Sequence, residues 1–416
     1  MLAAILAFNY VDGLAMGLVL QDIKADLHLS DTQLGFLTGI AFALFYSVMG
    51  IPIARWADRG NRVAIISVTA LLWSVMVILC GRAMSFAQLL AGRVGVAVGE
   101  AGCVPPAHSL IADYFSRAER PRAVALYMMG GSLSMAIGYF LAGWLNQLYG
   151  WRATFALLGL PGLGLALLAW LTLREPRSFR QIEPSASAAP DLDTTTLTGV
   201  YRALWANSSF RDVLFCFCVM TFFSAGIQQW QPAFFIRSYG VGTGELGTWF
   251  ALIYGVSGIL GTYAGGSLAS RRAPNNERLQ LGVMAAVYAA LSCLTAGIYL
   301  VPERNAAFGL IAVGTIAAAA VSGPLFAMIQ TLVAPRMRAT SIALVYLFSN
   351  LVGTGLGPLT VGVLSDALRP FLGEESLRYA LLALCPGYLW GGWHLWRARR
   401  TIVRDLEDTC RSTCPR

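Results

Sequence analysis

The sequence predicts an all-α membrane protein whose twelve transmembrane helices form two six-helix bundles, and three observations carry that prediction. The chain has 416 residues, of which 56% are hydrophobic and only 12% charged. Apolar runs of about 20 residues, long enough to cross ~30 Å of hydrocarbon as helices, recur to its end. The basic residues gather in alternate gaps between those runs. A soluble globule does not have this composition.

The runs lie at roughly 1–21, 32–54, 63–81, 86–112, 123–148, 153–173, 211–236, 246–269, 279–300, 306–333, 340–365 and 378–396. Arg55, Arg59 and Arg62 follow the second run, Arg117, Arg120 and Arg122 the fourth, and Arg174, Arg177 and Arg180 the sixth. Arg271, Arg272 and Arg278 follow the eighth, Arg336 and Arg338 the tenth, and the tail arginines from Arg397 the twelfth. By the positive-inside rule these gaps and both termini face the cytoplasm, across an inner membrane, and the number of crossings is even. The formal charge of +8 is then explained by topology and by attraction to anionic headgroups. Nucleic acid is not expected as a partner.

The first run has no positive n-region ahead of it and no A-x-A-like site behind it. It reads as a span rather than a cleaved signal peptide, with room for a short cytoplasmic tail before it. From 174 to 210 the apolar run is lost, and Pro176, Pro184, Pro190, Ser185, Ser187 and Thr194–Thr196 appear. That composition reads as a cytoplasmic linker. It divides the chain into a first bundle at 1–173, a second at 211–396 and a cytoplasmic tail at 397–416. The bundles echo each other weakly, since Gly138-x4-Gly143-x-Leu145 has the spacing of Gly357-x4-Gly362-x-Leu364. Parallel repeats of this kind place a binding site near the midplane, where the repeats meet.

Of the eight cysteines, Cys80, Cys103, Cys216, Cys218, Cys293 and Cys385 fall in or beside spans, where cysteine acts as a small apolar residue. Cys410 and Cys414 lie in the tail. His28, His108 and His394 are scattered and no C-x-x-C occurs, so neither a metal nor a cofactor is expected.

The chemistry concentrates in ionisable residues inside spans. Burying a charge in hydrocarbon costs several kcal/mol, so such residues face the protein interior or a wet cavity and mark ion, proton or substrate paths. Glu100 and Arg93 share span four, and seven positions bring both to one helix face about 10.5 Å apart along the axis. Asp12 lies mid-span in span one. If it faces the same cavity, two carboxylates compete for one arginine, and one of them holds a proton. Asp12, Glu100 and Arg93 are therefore the proton-coupling candidates. A structural pair locking span four to a neighbour is the alternative. At the end of span two Asp58, Arg59 and Arg62, with Arg122 after span four, are placed to bridge neighbouring helix ends as a cytoplasmic gate. The glycines of spans five and eleven permit close helix approach.

These motifs make a resemblance specific. Gly50-Ile-Pro-Ile-Ala-Arg-Trp-Ala-Asp58-Arg59-Gly60-Asn61-Arg62 resembles the loop signature after span two of the major facilitator superfamily. Arg93-x5-Gly99-Glu100-Ala101, the glycine-rich span five, Gly150-Trp151-Arg152 and Arg174-Glu175-Pro176 extend it over nearly the whole chain. Asn9-Tyr10-x-Asp12, Asp58-Arg59-x-Asn61-Arg62 and Gly99-Glu100-Ala101 are most similar to the Spinster family of lysolipid and sphingolipid transporters. The resemblance implies alternating access, proton coupling and a monomer. One departure stands out: the family and the organic-anion symporters usually carry Asp-Arg in span one, and this chain has Asp12-Gly13. Arg93 is then the only basic group in the expected cavity.

Span seven carries Gln228-Gln229-Trp230-Gln231-Pro232, amides beside a proline break that suit a polar-binding wall. With Asn9, Tyr46, Tyr127, Tyr254, Phe326, Gln330, Tyr346 and Asn350, residues Gln228, Gln229 and Trp230 are the substrate-binding candidates. Met128 and Met129 make the wall adaptable to an apolar shape. Packing against lipid or other helices is the alternative for each. The expected substrate is a lysolipid or similar amphiphile, with protons and membrane lipids as partners. The runners-up are a proton-coupled symporter of organic anions such as sugar acids, and multidrug efflux. No nucleotide loop, Ser/His/Asp set or metal cluster is recognisable, so an enzyme is not expected.

Overall fold

Every regular element among the described residues is helical. The computed structural model describes residues 1–116, 119–176, 205–273, 276–333 and 338–413, with the side chains at 58, 121, 132, 338–340, 343 and 408–413 outside the description. The greater part of the linker expected at 174–210 and the side chain of Asp58 therefore lie outside the described residues.

Helix α1 spans Leu2–Leu27 and ends at His28, whose φ of 53° puts the capping residue in the left-handed region. Ser30 and Gln33 then form a reciprocal capping box that starts α2, Asp31–Thr38. Helix α3 runs Ile40–Arg59. Asn61 caps α4, Arg62–Cys80, and Ser85 caps α5, Phe86–Glu100, each through its side-chain oxygen. Helix α6 is Val104–Tyr114, and α7 runs Arg120–Thr172 with a break at Gly150, where φ is 76°. In the rest of the chain come α8 (Ser208–Tyr239), α9 (Thr243–Leu252), α10 (Gly258–Arg272) and α11 (Glu277–Leu300). They are followed by α12 (Arg304–Leu332), α13 (Arg338–Phe348), α14 (Gly355–Leu372), α15 (Ser376–Leu384) and α16 (Gly387–Thr413). π-Helical turns at Ile253–Ser257 and Ser349–Thr354 join α9 to α10 and α13 to α14.

Nine helical stretches among the described residues are long and apolar enough to cross a membrane, against the twelve spans expected. Two of them, of 51 and 64 residues, exceed what a single crossing of ~30 Å needs more than twofold. Span four is absent from the nine because it is split. Gly102 and the pair Pro105-Pro106 interrupt it, and a proline removes a backbone donor and clashes with the preceding turn. Glu100, expected in the middle of a continuous helix, is instead the last residue of α5.

The chain forms two compact units that do not follow its order. The first comprises Met1–Gln181, Ala225–Gly255 and Thr354–Leu381, the second Ile182–Ser224, Val256–Gly353 and Leu382–Arg416. Within the first, glycines set the closest helix crossings. A Cβ on Gly143 would lie 2.9 Å from the Cα of Gly247, and one on Gly39 would run into the carbonyl oxygen of Gly355. No side chain fits either seam. Replacing Gly39 by valine should cost about 1–3 kcal/mol, as overpacking does. It should lower the melting temperature of the purified protein, whereas Gly50→Val, where a Cβ meets nothing within 4 Å, should not.

Candidate functional site

The first unit brings the three in-span ionisable residues together. Arg93 Nη1 donates to Asp12 Oδ2 at 2.6 Å, and both side chains are all but excluded from the surface. The guanidinium lies over the Phe42 ring, 5.1 Å from its centroid. Glu100, 3% exposed, lies within side-chain hydrogen-bonding reach of Asp12. One guanidinium thus faces two carboxylates. Asp12 Oδ1, Glu100 Oε1 and Arg93 Nε have no hydrogen-bond partner, so the cluster has unused bonding capacity. Asn9, one turn before Asp12 on α1, is fully buried with neither amide atom paired.

An aromatic wall adjoins the cluster. Tyr46 stacks on Phe42 with centroids 5.8 Å apart. Tyr127 packs edge-on against His108 at 5.2 Å. A Cβ on Gly13 would meet nothing within 4 Å, so the space next to Asp12 is open.

The span-seven candidates divide. Tyr254 donates to Gln231 Oε1 at 2.6 Å and stacks on Tyr139 at 5.4 Å. Gln228 is half-buried, and Gln229 packs near Gly17 with its buried Nε2 unpaired. Trp230 differs from the expectation. It is fully buried and its indole N–H donates to the Pro358 carbonyl at 2.8 Å, so it joins α8 to α14 and offers a ligand no surface in this conformation.

In the second unit Phe326 lies between Phe217, at 4.9 Å, and Tyr346, at 5.6 Å. Gln330 is exposed, and Asn350 lies in the π-helical turn Ser349–Thr354. Tyr254 occupies the other such turn, and π-bulges often mark functional positions.

Among the expected gate residues, Arg62 is wholly buried. Its Nε and Nη2 bond Glu175, Nη1 bonds Asp113 at 2.6 Å and Ser109 Oγ at 2.9 Å, and its backbone N–H reaches Glu175 Oε2 at 2.7 Å. Its partners all come from the first half of the chain. Arg62 therefore ties the start of α4 to α6 and to the segment after α7, rather than one half to the other. Arg59 and Arg122 are exposed.

A second ionic cluster escaped the sequence reading. Asp31, fully buried, accepts from Arg237 Nη1 at 2.9 Å and Nη2 at 2.6 Å, Lys24 Nζ at 2.6 Å and Ser365 Oγ at 2.7 Å. Asp366 accepts the backbone N–H groups of Asp31 and Thr32 at the α2 N-terminus, at 3.1 and 2.7 Å. Arg237 Nε donates to Gln21 at 2.7 Å. The local signals were the Ser30-x-x-Gln33 box and Lys24 seven positions before Asp31; Arg237 and Ser365 lie 206 and 334 positions away.

A Major Facilitator Superfamily profile matches residues 1–358. The chain is 34% identical over 411 residues to an MFS-type efflux pump of Mycolicibacterium smegmatis, covering 99% of this chain and 94% of that one. It is 28% identical to protein spinster homolog 1 of Xenopus tropicalis, over 93% of this chain and 77% of the relative. Its structure is similar, with a TM-score of 0.86 and 30% identity, to the crystal structure of a bacterial homolog of the human lysosomal transporter spinster in an inward-facing, unoccupied conformation. That match covers 97% of this chain and 96% of the other.

Removing one partner from a buried ionic cluster leaves the others uncompensated, at about 3–5 kcal/mol. Asp31→Asn should lower the melting temperature of the purified protein far more than neutralising the exposed Arg369–Glu374 pair, which should be nearly silent.

Proposed function

The chain belongs to the Major Facilitator Superfamily, and from that premise we propose that it is a proton-coupled secondary transporter moving a lysolipid or similar amphiphile by alternating access. Twelve crossings, with both termini in the cytoplasm of an inner membrane, complete the reading. The observation that carries it is the sharing of Arg93 by Asp12 and Glu100 in a buried cluster.

With both carboxylates ionised the cluster carries one uncompensated negative charge where water is excluded. One proton neutralises it. Loss of that proton has to be accompanied by rearrangement, substrate binding or solvent entry, because an isolated buried charge costs several kcal/mol. The proton equilibrium and the conformational equilibrium are thereby linked. Asn9, fully buried in this conformation with its amide unpaired, is a polar contact one turn from Asp12 that a ligand reaches only once the cluster opens.

Alternation also needs a latch that forms and breaks. The Asp31 cluster is the candidate, since it joins residues from the first half of the chain (Lys24, Asp31) to residues from the second (Arg237, Ser365, Asp366). Under the positive-inside reading it lies on the non-cytoplasmic side.

An amphiphile is supported over a sugar acid by the open, uncharged space at Gly13 and by the Phe42, Tyr46 and Tyr127 wall. Relatives named for the spinster family agree with the resemblance that implies this class. Export of apolar drugs is the second reading, favoured by the 34% identical relative named as an efflux pump.

In proteoliposomes, Glu100→Gln should abolish transport driven by a pH gradient, a loss of at least about tenfold, while lysophospholipid still raises its melting temperature. Gradient-driven transport that survives this change contradicts the proton role. In the wild type, stabilisation by lysophospholipids but not sugar acids supports the lipid reading, and stabilisation by cationic drugs alone selects the efflux reading.

A further inference from the structure

The second unit contains a groove that the transport mechanism does not use. It has a volume of about 510 Å³, within the ~300–1,000 Å³ range typical of ligand pockets. It lies between the first turns of α8, the Ser349–Thr354 turn and α16. Leu214, Cys218, Phe222, Val352 and Trp390 line it, with His394 as the one strongly polar side chain. It is open along one edge, where Trp205 is 40% and Trp390 54% exposed. That edge opens the trough to a molecule entering from the side.

The polar end of the groove is built from paired groups. His394 Nδ1 is 3.1 Å from Asp212 Oδ1, and Arg397 Nε is 3.3 Å from Asp212 Oδ2. The His394 ring stacks on Phe215 at 5.5 Å and meets Trp393 edge-on at 4.8 Å. Beyond that end, α16 turns basic. Trp390, Trp393, Arg397, Arg400 and Arg404 recur every three or four positions, a helical stripe running from aromatic to cationic.

Cation–π contacts hold these guanidinium groups beside the tryptophans. Arg397 lies over Trp393 at 5.5 Å and Arg400 over Trp396 at 3.8 Å. Asp212 takes Arg397, and Asp405 takes Arg404 at 3.3 Å while capping Ser208 and Ser209. Among the described residues no carboxylate pairs with Arg400, so the stripe keeps a net positive charge.

An apolar trough, one polar pole and an unpaired cation just past it complement a molecule with a long apolar body and an anionic end. We infer that the groove holds one acyl chain of an anionic phospholipid, with the phosphate against Arg400 and the exposed part of Arg397. The ligand is a resident anionic phospholipid of the surrounding bilayer. The inference is independent of the proton-coupling cluster, which lies in the other unit.

The test uses the full chain in nanodiscs with photoactivatable acyl-chain probes: diacyl phosphatidylglycerol, lysophosphatidylglycerol and, as a neutral control, phosphatidylcholine. The phosphatidylglycerol probes should crosslink to residues 214–223, 348–352 or 390–394. Arg400→Gln should reduce that labelling about fivefold, the loss expected for one basic contact with an anionic headgroup. Cys218→Trp, which fills the trough, should abolish it. Glu100→Gln should leave it unchanged. Labelling should be stronger with the diacyl than with the lyso probe, and the reverse order overturns the assignment to a resident bilayer lipid. Equal labelling by phosphatidylcholine, crosslinks confined to other segments, or labelling untouched by Arg400→Gln overturns the inference.

Discussion

Arg93 is buried in an apolar bundle, and a guanidinium there has to be compensated. Asp12 compensates it at 2.6 Å, from the helix that starts the chain. That bond fixes α1 against α5 and gives Glu100, seven positions further on, a neighbourhood already neutral without it. The second carboxylate is consequently the group whose charge is left over. Phe42 covers one face of the guanidinium, and all three ionisable side chains are buried in this conformation. A surplus carboxylate at the end of a broken helix is a poor choice for stability alone, and a good one for linking protonation to shape.

The rest of the first unit holds this cluster in register. Glycine seams bring α3 against α14 and α7 against α9 at distances no side chain tolerates. Trp230 and the Asp31 cluster then tie α8 and α14 to the α1–α2 corner. These contacts are of two kinds. The seams are steric and permit sliding or rocking, whereas the ionic cluster is all or nothing, since partial loss strands buried charges.

Much of this was legible in the sequence because composition and spacing act locally. Apolar runs, alternate basic gaps and the seven-residue spacing of Arg93 and Glu100 require no knowledge of packing. The proximity of Asp12 to Arg93 could be stated only as a condition, and the structure supplies it. The break after Glu100 was readable from Gly102 and Pro105-Pro106, which outweigh the apolar character of span four. Trp230 illustrates the limit: an aromatic beside glutamines reads as a ligand wall, yet its partner is a carbonyl 128 positions away. The Asp31 cluster was invisible for the same reason, each partner taken singly being an ordinary loop charge. Arg62 read as a gate because it sits at a helix end, and its burial against Glu175 and Asp113 depends on how α6 and α7 return.

The central claim is that one carboxylate of the Asp12–Arg93–Glu100 cluster carries an exchangeable proton. Infrared difference spectroscopy of the purified protein through a pH titration addresses it directly, because a protonated carboxyl has a carbonyl stretch distinct from that of a carboxylate. The account predicts a buried protonated-carboxyl band at neutral pH that disappears in Glu100→Gln or Asp12→Asn and shifts when ligand binds. A spectrum in which all carboxyl groups of the wild type are ionised at neutral pH, with or without ligand, would contradict it.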